Sequence, residues 1–299
     1  MWRSLAILAL FAPCFAGAQN FLWEVSSSSN RVYLFGTMHV GKADWYPLPP
    51  SVVDAFAQSH WLAVEADLTD QAAMAKSSEA MTYKPPDSLA NHVSKAQLSR
   101  FEALAHNYGL PEAAALQLKP FMALSLLVFS AWAHEGYLPT YGVDAYLIAM
   151  AHGEAKPVVE LEGVAEQTKL IDSFTDAQVS VLFASTIDAL EHGLVAQQIH
   201  ELVRAWQIGD SKLMLEAARR YDEQVPGAAD IEDKLVWSRN AAIEQRIKGW
   251  LDGPKDPRFV AIGALHLVGP RGLVEALRRR GYSVRQVFVA PRMEEGDGH

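Results

Sequence analysis

Two short segments, far apart in the chain, repeat one pattern of residues. His39 comes three residues after Gly36, and His266 comes three residues after Gly263. Each glycine directly follows an apolar run, and each histidine is followed by one or two apolar residues and another glycine. The repetition predicts two corresponding turns, each of which places a histidine just beyond the end of a strand.

A histidine in such a turn can bind a metal ion or transfer a proton near neutral pH. A glycine at the strand end allows a sharp turn or a close approach to a ligand. For one such motif alone, the simpler interpretation is that the histidine packs against or caps a loop, because the motif is short. Two matching motifs favour a shared site, since ligands of open α/β sheets bind beyond the carboxyl ends of the strands.

A carboxylate occupies a third position of this kind. Glu65 ends the apolar run at 61–64, and Asp67 follows two residues later as a competing carboxylate. A glutamate at a strand end can be a metal ligand or a general base, and an exposed charge is the simpler alternative. We predict that His39, Glu65 and His266 are the catalytic residues and the ligands of a divalent metal ion.

Other acidic residues could support such a site. Glu160 and Glu162 are two residues apart in a predicted strand, so they would share either a polar inner face or the solvent face of an edge strand. Asp144 comes two residues after Gly142 at a predicted helix start, where capping the helix N-terminus is the simplest role.

Arg239 and Asn240 are adjacent polar residues in an otherwise amphipathic helical segment. Arg239 could bind a substrate carboxylate, pair with Glu162, or simply face solvent. The sequence has no HExxH, GxSxG or Walker motif, which disfavours the familiar zinc proteases, serine hydrolases and nucleotide enzymes.

The elements that would position these residues are strands at the two ends of the chain and helices between them. Runs rich in β-branched and aromatic residues predict strands at 21–25, 31–35, 61–65, 156–162, 258–262 and 283–289. The predicted fold is α/β: a central mixed sheet built from the N- and C-terminal segments, with a large helical insertion at about 88–250. We expect a single domain over 19–293 and a disordered tail over 294–299.

The N-terminus has the features of a secretory signal peptide. Arg3 precedes an apolar run at 5–15, which ends in a small–x–small site that predicts cleavage after Ala18. The run is too short to span a bilayer, so a retained anchor is the weaker alternative. Residues 1–18 are therefore assigned to a signal peptide, and the mature protein is expected to be periplasmic or secreted.

Composition narrows the function further. Cys14 is the only cysteine and lies in the predicted signal peptide, so the mature chain would have no disulfide, thiol nucleophile or cysteine metal ligand. Pro13 beside it fits a lipid-attachment site poorly. The net charge of −9 disfavours binding to nucleic acid. The longest internal apolar stretch, 121–133, is short for a membrane span and suits a buried helix, so no transmembrane segment is expected in the mature chain.

Taken together, the motifs resemble the TraB/PrgY/GumN family, whose animal relatives include the TIKI metalloproteases. The resemblance covers essentially the whole mature chain, and wider kin are the erythromycin-esterase and ChaN-like proteins. It rests on segments 34–39, 64–67, 142–144, 161–167, 239–240 and 262–269. It implies a metal-dependent, peptidase-like site, with manganese or cobalt as the metal.

By this resemblance, His39 and His266 match the two GxxH histidines, Glu65 matches the motif glutamate, and the glycines Gly36 and Gly263 match the turns. The secondary polar positions of the family match Asp144, Glu162, Arg239 and Asn240. In that arrangement Asp144 and Glu162 would orient the metal ligands, and Arg239 would hold a substrate carboxylate.

The main hypothesis is therefore a metal-dependent hydrolase that cuts a peptide or amide bond. Nitrogen and oxygen ligands without thiolate do not select among zinc, manganese and cobalt. The first alternative is a non-catalytic protein that sequesters a peptide, a metal or a haem-like ligand. A second alternative is a metal-free hydrolase that uses histidine as its base. The expected partner is a peptide or small-molecule substrate.

Overall fold

Six strands form one mixed sheet. The structure is a computed structural model that describes residues 19–220 and 225–288; the predicted signal peptide and tail lie outside the described residues. The strands are β1 (Gln19–Ser26), β2 (Arg31–Thr37), β3 (Trp61–Val64), β4 (Val158–Glu160), β5 (Arg258–Gly263) and β6 (Ser283–Phe288). Their order across the sheet is β4-β3-β5-β2-β1-β6. The predicted α/β fold with a central mixed sheet is confirmed.

The neighbouring strands β4, β3, β5 and β2 are parallel to one another, and β1 is antiparallel to both β2 and β6. The strands β2, β3 and β5 are apolar and almost completely buried, as expected for parallel strands that are covered on both faces. Because these strands are parallel, their carboxyl ends meet at one edge of the sheet. The segments that follow them carry all three predicted catalytic residues.

Thirteen α-helices lie in the described residues: one between β2 and β3, one between β5 and β6, and the others between β3 and β5, where β4 divides them into two groups. They are α1 (Pro50–Ala57), α2 (Gln71–Ala80), α3 (Lys95–Asn107), α4 (Glu112–Ala115), α5 (Pro120–His134), α6 (Val143–Gly153), α7 (Val164–Asp172), α8 (Asp176–Glu191), α9 (Leu194–Ile208), α10 (Ser211–Arg219), α11 (Ala228–Glu232), α12 (Ser238–Leu251) and α13 (Leu273–Arg279). A π-helical segment, Asp233–Trp237, leads into α12. Capping boxes at Ser94 and Thr175 begin α3 and α8.

The sheet and the helical region each have their own hydrophobic core. Trp23, Phe35 and Phe259 are buried in the cluster around the sheet. Phe101 and Phe183 are buried in a second cluster formed by helices. The separate helical core explains how a long insertion can fold beside the sheet while leaving the carboxyl edge of the strands for polar residues.

The length and hydropathy of the helices show which of them could cross a membrane. Within the described residues, no single helix is both long and apolar enough to cross a membrane. The pair α8 and α9 satisfies the criterion only together, and the two helices meet at an angle of 88°. The apolar stretch at 121–133 lies in α5, whose inner side is buried in the helical core.

Candidate functional site

The two histidine turns lie side by side at the carboxyl edge of the sheet. In the register of β2 and β5, Gly36 pairs with Ile262 and Thr37 pairs with Gly263. The two glycines are therefore adjacent but offset by one residue. After Gly36 the chain remains extended for another residue, whereas after Gly263 it enters a short 3-10 helix, Ala264–Leu267. The same four-residue pattern thus adopts two different local conformations.

Both glycines are required by close packing rather than by a left-handed backbone. A Cβ atom on Gly36 would lie 2.4 Å from the ring of Phe21. A Cβ atom on Gly263 would lie 3.0 Å from Oε1 of Glu65. The first glycine therefore lets β2 pack against β1, and the second lets the Glu65 carboxylate approach the backbone.

Glu65 is held on both carboxylate oxygens. Gly263 donates its backbone N–H to Oε1 at 2.7 Å, while Arg239 and Gln167 donate to Oε2 at 2.6 and 3.1 Å. Burial alone would raise the pKa of this carboxyl group, but its interactions with His266, His39 and Arg239 and the hydrogen bond from Gly263 outweigh burial and lower the pKa to about 2. A carboxylate of such low basicity is a poor general base and is better suited to holding a cation.

His266 is buried, and its neighbour fixes its orientation. Its Nδ1 lies 2.6 Å from Oδ1 of Asn240, whose Nδ2 donates to the carbonyls of His266 and Arg271 at 3.2 and 3.0 Å. Because both donors of the amide face carbonyls, Oδ1 must face the ring, so we assign the proton to Nδ1. The Nε2 atom then has a free lone pair, 3.9 Å from Oε2 of Glu65.

The charge state of His266 follows from its surroundings. Burial, opposed in part by the charge of Glu65, lowers the pKa of the ring to about 4. The imidazole is therefore neutral at pH 7, as a metal ligand must be.

His39 has a different environment. Its side chain is 60% exposed, and its Nδ1 donates to Oδ2 of Asp144 at 3.0 Å. Thr37 donates its hydroxyl to the other oxygen of Asp144 at 2.6 Å. The charge of Asp144, opposed in part by desolvation, raises the pKa of His39 to about 9. In the metal-free protein His39 is therefore a cation at neutral pH.

The N-capping role considered for Asp144 is wrong. Helix α6 begins at Val143, its N-cap is Gly142, and no side chain caps it. Asp144 is the second residue of the helix, and its carboxylate turns towards Thr37 and His39 instead. The helix is bound to the His39 turn because the N–H of Val143 donates to the carbonyl of Met38 at 2.9 Å.

Arg239 joins two of the predicted acidic residues. Its Nε donates to the Glu162 carboxylate at 2.9 and 3.1 Å, its Nη2 bonds both Glu162 and Glu65, and its Nη1 donates to the carbonyl of Leu235 at 2.6 Å. Burial opposes the charge of Arg239, but the hydrogen bond to Glu162 and the charge of Glu65 outweigh it and raise the pKa. All three guanidinium nitrogens are engaged, so Arg239 pairs with Glu162, as the sequence also allowed, and its contact with a substrate carboxylate stays a prediction.

The remaining acidic candidates have separate roles. β4 ends at Glu160, so Glu162 lies beyond the strand, and the expected shared strand face does not form. Glu160 accepts the backbone N–H of Asp67 at 2.8 Å. Asp67 accepts hydrogen bonds from the backbone and hydroxyl of Thr69, as in a local turn. Neither Glu160 nor Asp67 contacts the predicted catalytic residues through these bonds.

The sequence interpretation missed two supporting residues, Thr37 and Gln167. Thr37 lies inside the first GxxH pattern, but only its bond to Asp144 gives it a role. Gln167 lies in a segment that carries the family resemblance, but only its bond to Glu65 assigns it to this site. Both side chains bond residues about a hundred positions away, which no local pattern reveals.

Two of the three predicted metal ligands lie at a spacing that suits a divalent cation. His266 Nε2 and Glu65 Oε2 are 3.9 Å apart, and two ligands each about 2.1 Å from one ion lie roughly 3–4 Å apart. Within residues 19–220 and 225–288, however, no three His, Cys, Asp or Glu side chains are grouped so that they could hold an ion. The residues therefore offer a metal two donors at a suitable spacing, of which Glu65 Oε2 also accepts from Arg239 and Gln167, and His39 does not complete a three-ligand cage in this arrangement.

Known proteins resemble this chain along nearly its whole length. The sequence model of the TraB/PrgY/gumN family matches residues 21–286. The uncharacterized protein YbaP of Escherichia coli is 24% identical over 87% of this chain and 94% of its own length. A metalloprotease TIKI homolog of Amphimedon queenslandica is 25% identical over 95% of this chain and 66% of its own length. The metalloprotease TIKI1 of Homo sapiens is 23% identical over 93% of this chain and 64% of its own length.

Proposed function

The chain belongs to the TraB/PrgY/gumN family, and from this premise we propose that it is a metal-dependent hydrolase of peptide or amide bonds. The observation that carries the proposal is the orientation of His266. Its Nδ1 proton is directed at Asn240, which leaves the Nε2 lone pair beside the Glu65 carboxylate. The metalloprotease names of the TIKI relatives support the same reaction class.

In this proposal His266 Nε2 and Glu65 hold the ion. A divalent ion bound there would polarise the substrate carbonyl and lower the pKa of a water molecule. Asn240 keeps the ring of His266 in one orientation, and Arg239 and Gln167 keep the carboxylate of Glu65 in place.

His39 acts from the exposed side of the site. Asp144 holds its Nδ1, so Nε2 is the nitrogen available to the reaction. Nε2 has two possible roles, third metal ligand and proton donor to the leaving nitrogen. They predict different results for His39→Ala: the first loses bound metal, whereas the second keeps the metal and loses turnover.

The test uses the chain from Gln19 onwards, stripped with a chelator and then supplied with manganese, cobalt or zinc. We expect about one ion per chain, and peptide cleavage that stops in chelator and returns with metal. His266→Ala should lose both. The matched control is His60→Ala, because His60 is exposed and pairs with Asp256 away from the site. Cleavage that persists in chelator would support the metal-free alternative and contradict the proposal.

A second candidate function is sequestration of a peptide or metal without turnover. For a peptide, it is favoured by the hydrogen bonds that already engage both oxygens of Glu65, from Gly263 on one oxygen and from Arg239 and Gln167 on the other. Tight retention of a peptide by the metal-loaded protein, with no cleavage product detected by mass spectrometry, would support it over hydrolysis.

We also propose that the protein acts in the periplasm or after secretion. The support is the signal-peptide pattern of residues 1–18, in which Arg3 precedes a short apolar run and a small–x–small site. Mass spectrometry of the protein isolated from its native envelope or medium should give Gln19 as the first residue. An intact N-terminus in a cytoplasmic fraction would contradict this location.

A further inference from the structure

A cavity of about 750 Å³ lies beside the His266 turn. Its walls come from α8, α10, α11 and the π-helical segment Asp233–Trp237, together with Leu265. Leu265 directly precedes His266 in the short 3-10 helix. One residue of the His266 turn therefore lines the cavity, and the size of the cavity is within the range of ligand pockets.

The cavity wall is apolar, and its described polar groups are already satisfied. Val181, Leu182, Leu235 and other aliphatic side chains form most of the lining. The charged lining residues, Arg219 and Glu232, pair with each other through two bonds of 2.8 and 3.0 Å. The described part of the wall thus presents no uncompensated charge, and an uncharged apolar group is the occupant that it suits.

One element connects the cavity to the catalytic residues. Leu235 and Val236 line the cavity from the π-helical segment, and Arg239 and Asn240 follow within the next turn of the chain. The carbonyl of Leu235 accepts a hydrogen bond from Arg239, which in turn holds Glu65. π-helical turns are often found at functional sites, and this one places a cavity wall and the residues that hold Glu65 and His266 on one continuous helix.

We propose that this cavity is the subsite for a large apolar side chain of a peptide substrate, next to the bond that is cut. The inference rests on the proposed peptidase function and adds a substrate class to it. The arguments for this occupant are the continuity with His266 through Leu265 and the absence of an unpaired charge on the described wall.

The first test measures kcat/KM for pairs of fluorogenic peptides that differ in one residue near the cleaved bond. We expect the wild type to prefer leucine or phenylalanine to alanine by about 100-fold, and to prefer alanine to aspartate. Ser185→Phe places a ring in the cavity from α8. It should lower kcat/KM for the leucine peptide about tenfold or more and leave the alanine peptide within about threefold.

Two further variants keep the test interpretable. Ser180→Phe makes the same substitution at an exposed position of α8 that is not part of the cavity, and it should keep the wild-type preference. Ala218→Leu narrows the cavity from a different helix, α10, and replaces Ser185→Phe in the test if that variant does not fold. A wild type without apolar preference, or narrowed variants that keep it, would overturn the proposal.

A second measurement does not depend on catalysis. Methyl NMR signals of Leu235 and Leu265 should shift with N-acetyl-leucine amide, not with N-acetyl-aspartate amide, and the shift should vanish in Ser185→Phe. If no peptide is cleaved but the leucine amide binds, the hydrolase function fails and the apolar site stands. If the leucine amide does not bind in the cavity, the subsite is overturned whether or not peptides are cleaved.

Discussion

His39 and His266 each stand three residues after a glycine, in turns that follow neighbouring strands, yet their rings have different partners. His39 is largely exposed and is bound to the carboxylate of Asp144. His266 is buried and is bound to the amide of Asn240. A carboxylate partner stabilises the imidazolium, whereas a neutral partner in a buried site stabilises the neutral ring. The motif therefore determines where each histidine lies, and its surroundings determine its charge: the Asp144 carboxylate for His39 and burial for His266.

This difference gives the two turns different tasks in the proposed reaction. The neutral His266 can bind a cation without first losing a proton, and it lies beside an ionised glutamate. The cationic His39 must lose a proton before it can bind a metal, but it can donate one to a leaving group. Substitutions that remove or exchange these partners test the contrast.

Asn240→Ala should have the largest effect. It leaves Nδ1–H of His266 and the carbonyls of His266 and Arg271 without their partner inside the protein. We expect a loss of about 2–4 kcal/mol in the free energy of unfolding, measured by urea denaturation. Metal affinity, measured by calorimetry, should fall about 10–100-fold because the ring is no longer oriented. The control Asn91→Ala, at an exposed residue, should change neither; an equally stable Asn240→Ala would contradict the assigned orientation.

The neutral state of His266 predicts a pH dependence of stability. Because its folded-state pKa is lowered to about 4, its contribution is fully present above pH 6.5 and is lost as the pH falls towards 4. The loss is on the order of 3 kcal/mol. Urea denaturation of the metal-free protein at several pH values should show this component in the wild type and in His60→Gln, but not in His266→Gln. Identical pH profiles for all three proteins would contradict a neutral buried ring.

Thr37→Val tests how the first turn is held. The substitution removes the hydroxyl that donates to Asp144 in a buried position and preserves the shape of the side chain. We expect a loss of about 1–2 kcal/mol in the free energy of unfolding, since the acceptor is charged. Thr82→Val is the comparison, because the hydrogen bond that it removes is exposed. It should lower the free energy of unfolding by less than Thr37→Val does. Equal losses would mean that the bond to Asp144 does not stabilise the turn.

Asp144→Asn should have the smallest effect on stability, because His39 is exposed and solvent screens its ion pair. The pKa of His39 is raised in the folded state. The stabilisation of the fold by the His39–Asp144 pair is therefore present below pH 6.5 and is lost as the pH rises through about 9. We expect a difference below about 1 kcal/mol at neutral pH. NMR titration should nevertheless show a lower pKa of His39 in Asp144→Asn than in the wild type, by about 0.7 unit for each kcal/mol of stability that is lost. An unchanged pKa would mean that Asp144 is not its cause.

The framework of this site was predictable from sequence because it depends on local patterns. The apolar runs before Gly36, Glu65 and Gly263 predicted strands whose carboxyl ends meet, and β2, β3 and β5 are neighbours in the sheet. The partners were not predictable in the same way. The hydrogen bond from Gly263 to Glu65 joins residues 198 positions apart. No local sequence pattern identifies Gly263 as the donor or Glu65 as the acceptor.

Asp144 shows why the position of a residue near a helix start was insufficient to predict its partners. Aspartate near a helix start predicts an N-cap, but the helix begins one residue earlier, at Val143, so the carboxylate faces the neighbouring turn. Arg239 shows that the charge of a side chain was likewise insufficient to predict its partner. Its side chain had three plausible partners in the sequence, and only the fold places it between Glu65 and Glu162.

The central claim is that His266 and Glu65 hold a divalent ion on which hydrolysis depends, and the most direct measurement is metal content together with peptide cleavage in wild type and His266→Ala. The account predicts that the wild type binds about one ion and cleaves only with metal, and that His266→Ala, folded by circular dichroism, does neither. A folded His266→Ala that binds the ion with wild-type affinity, or a wild type that cleaves in chelator, would contradict it.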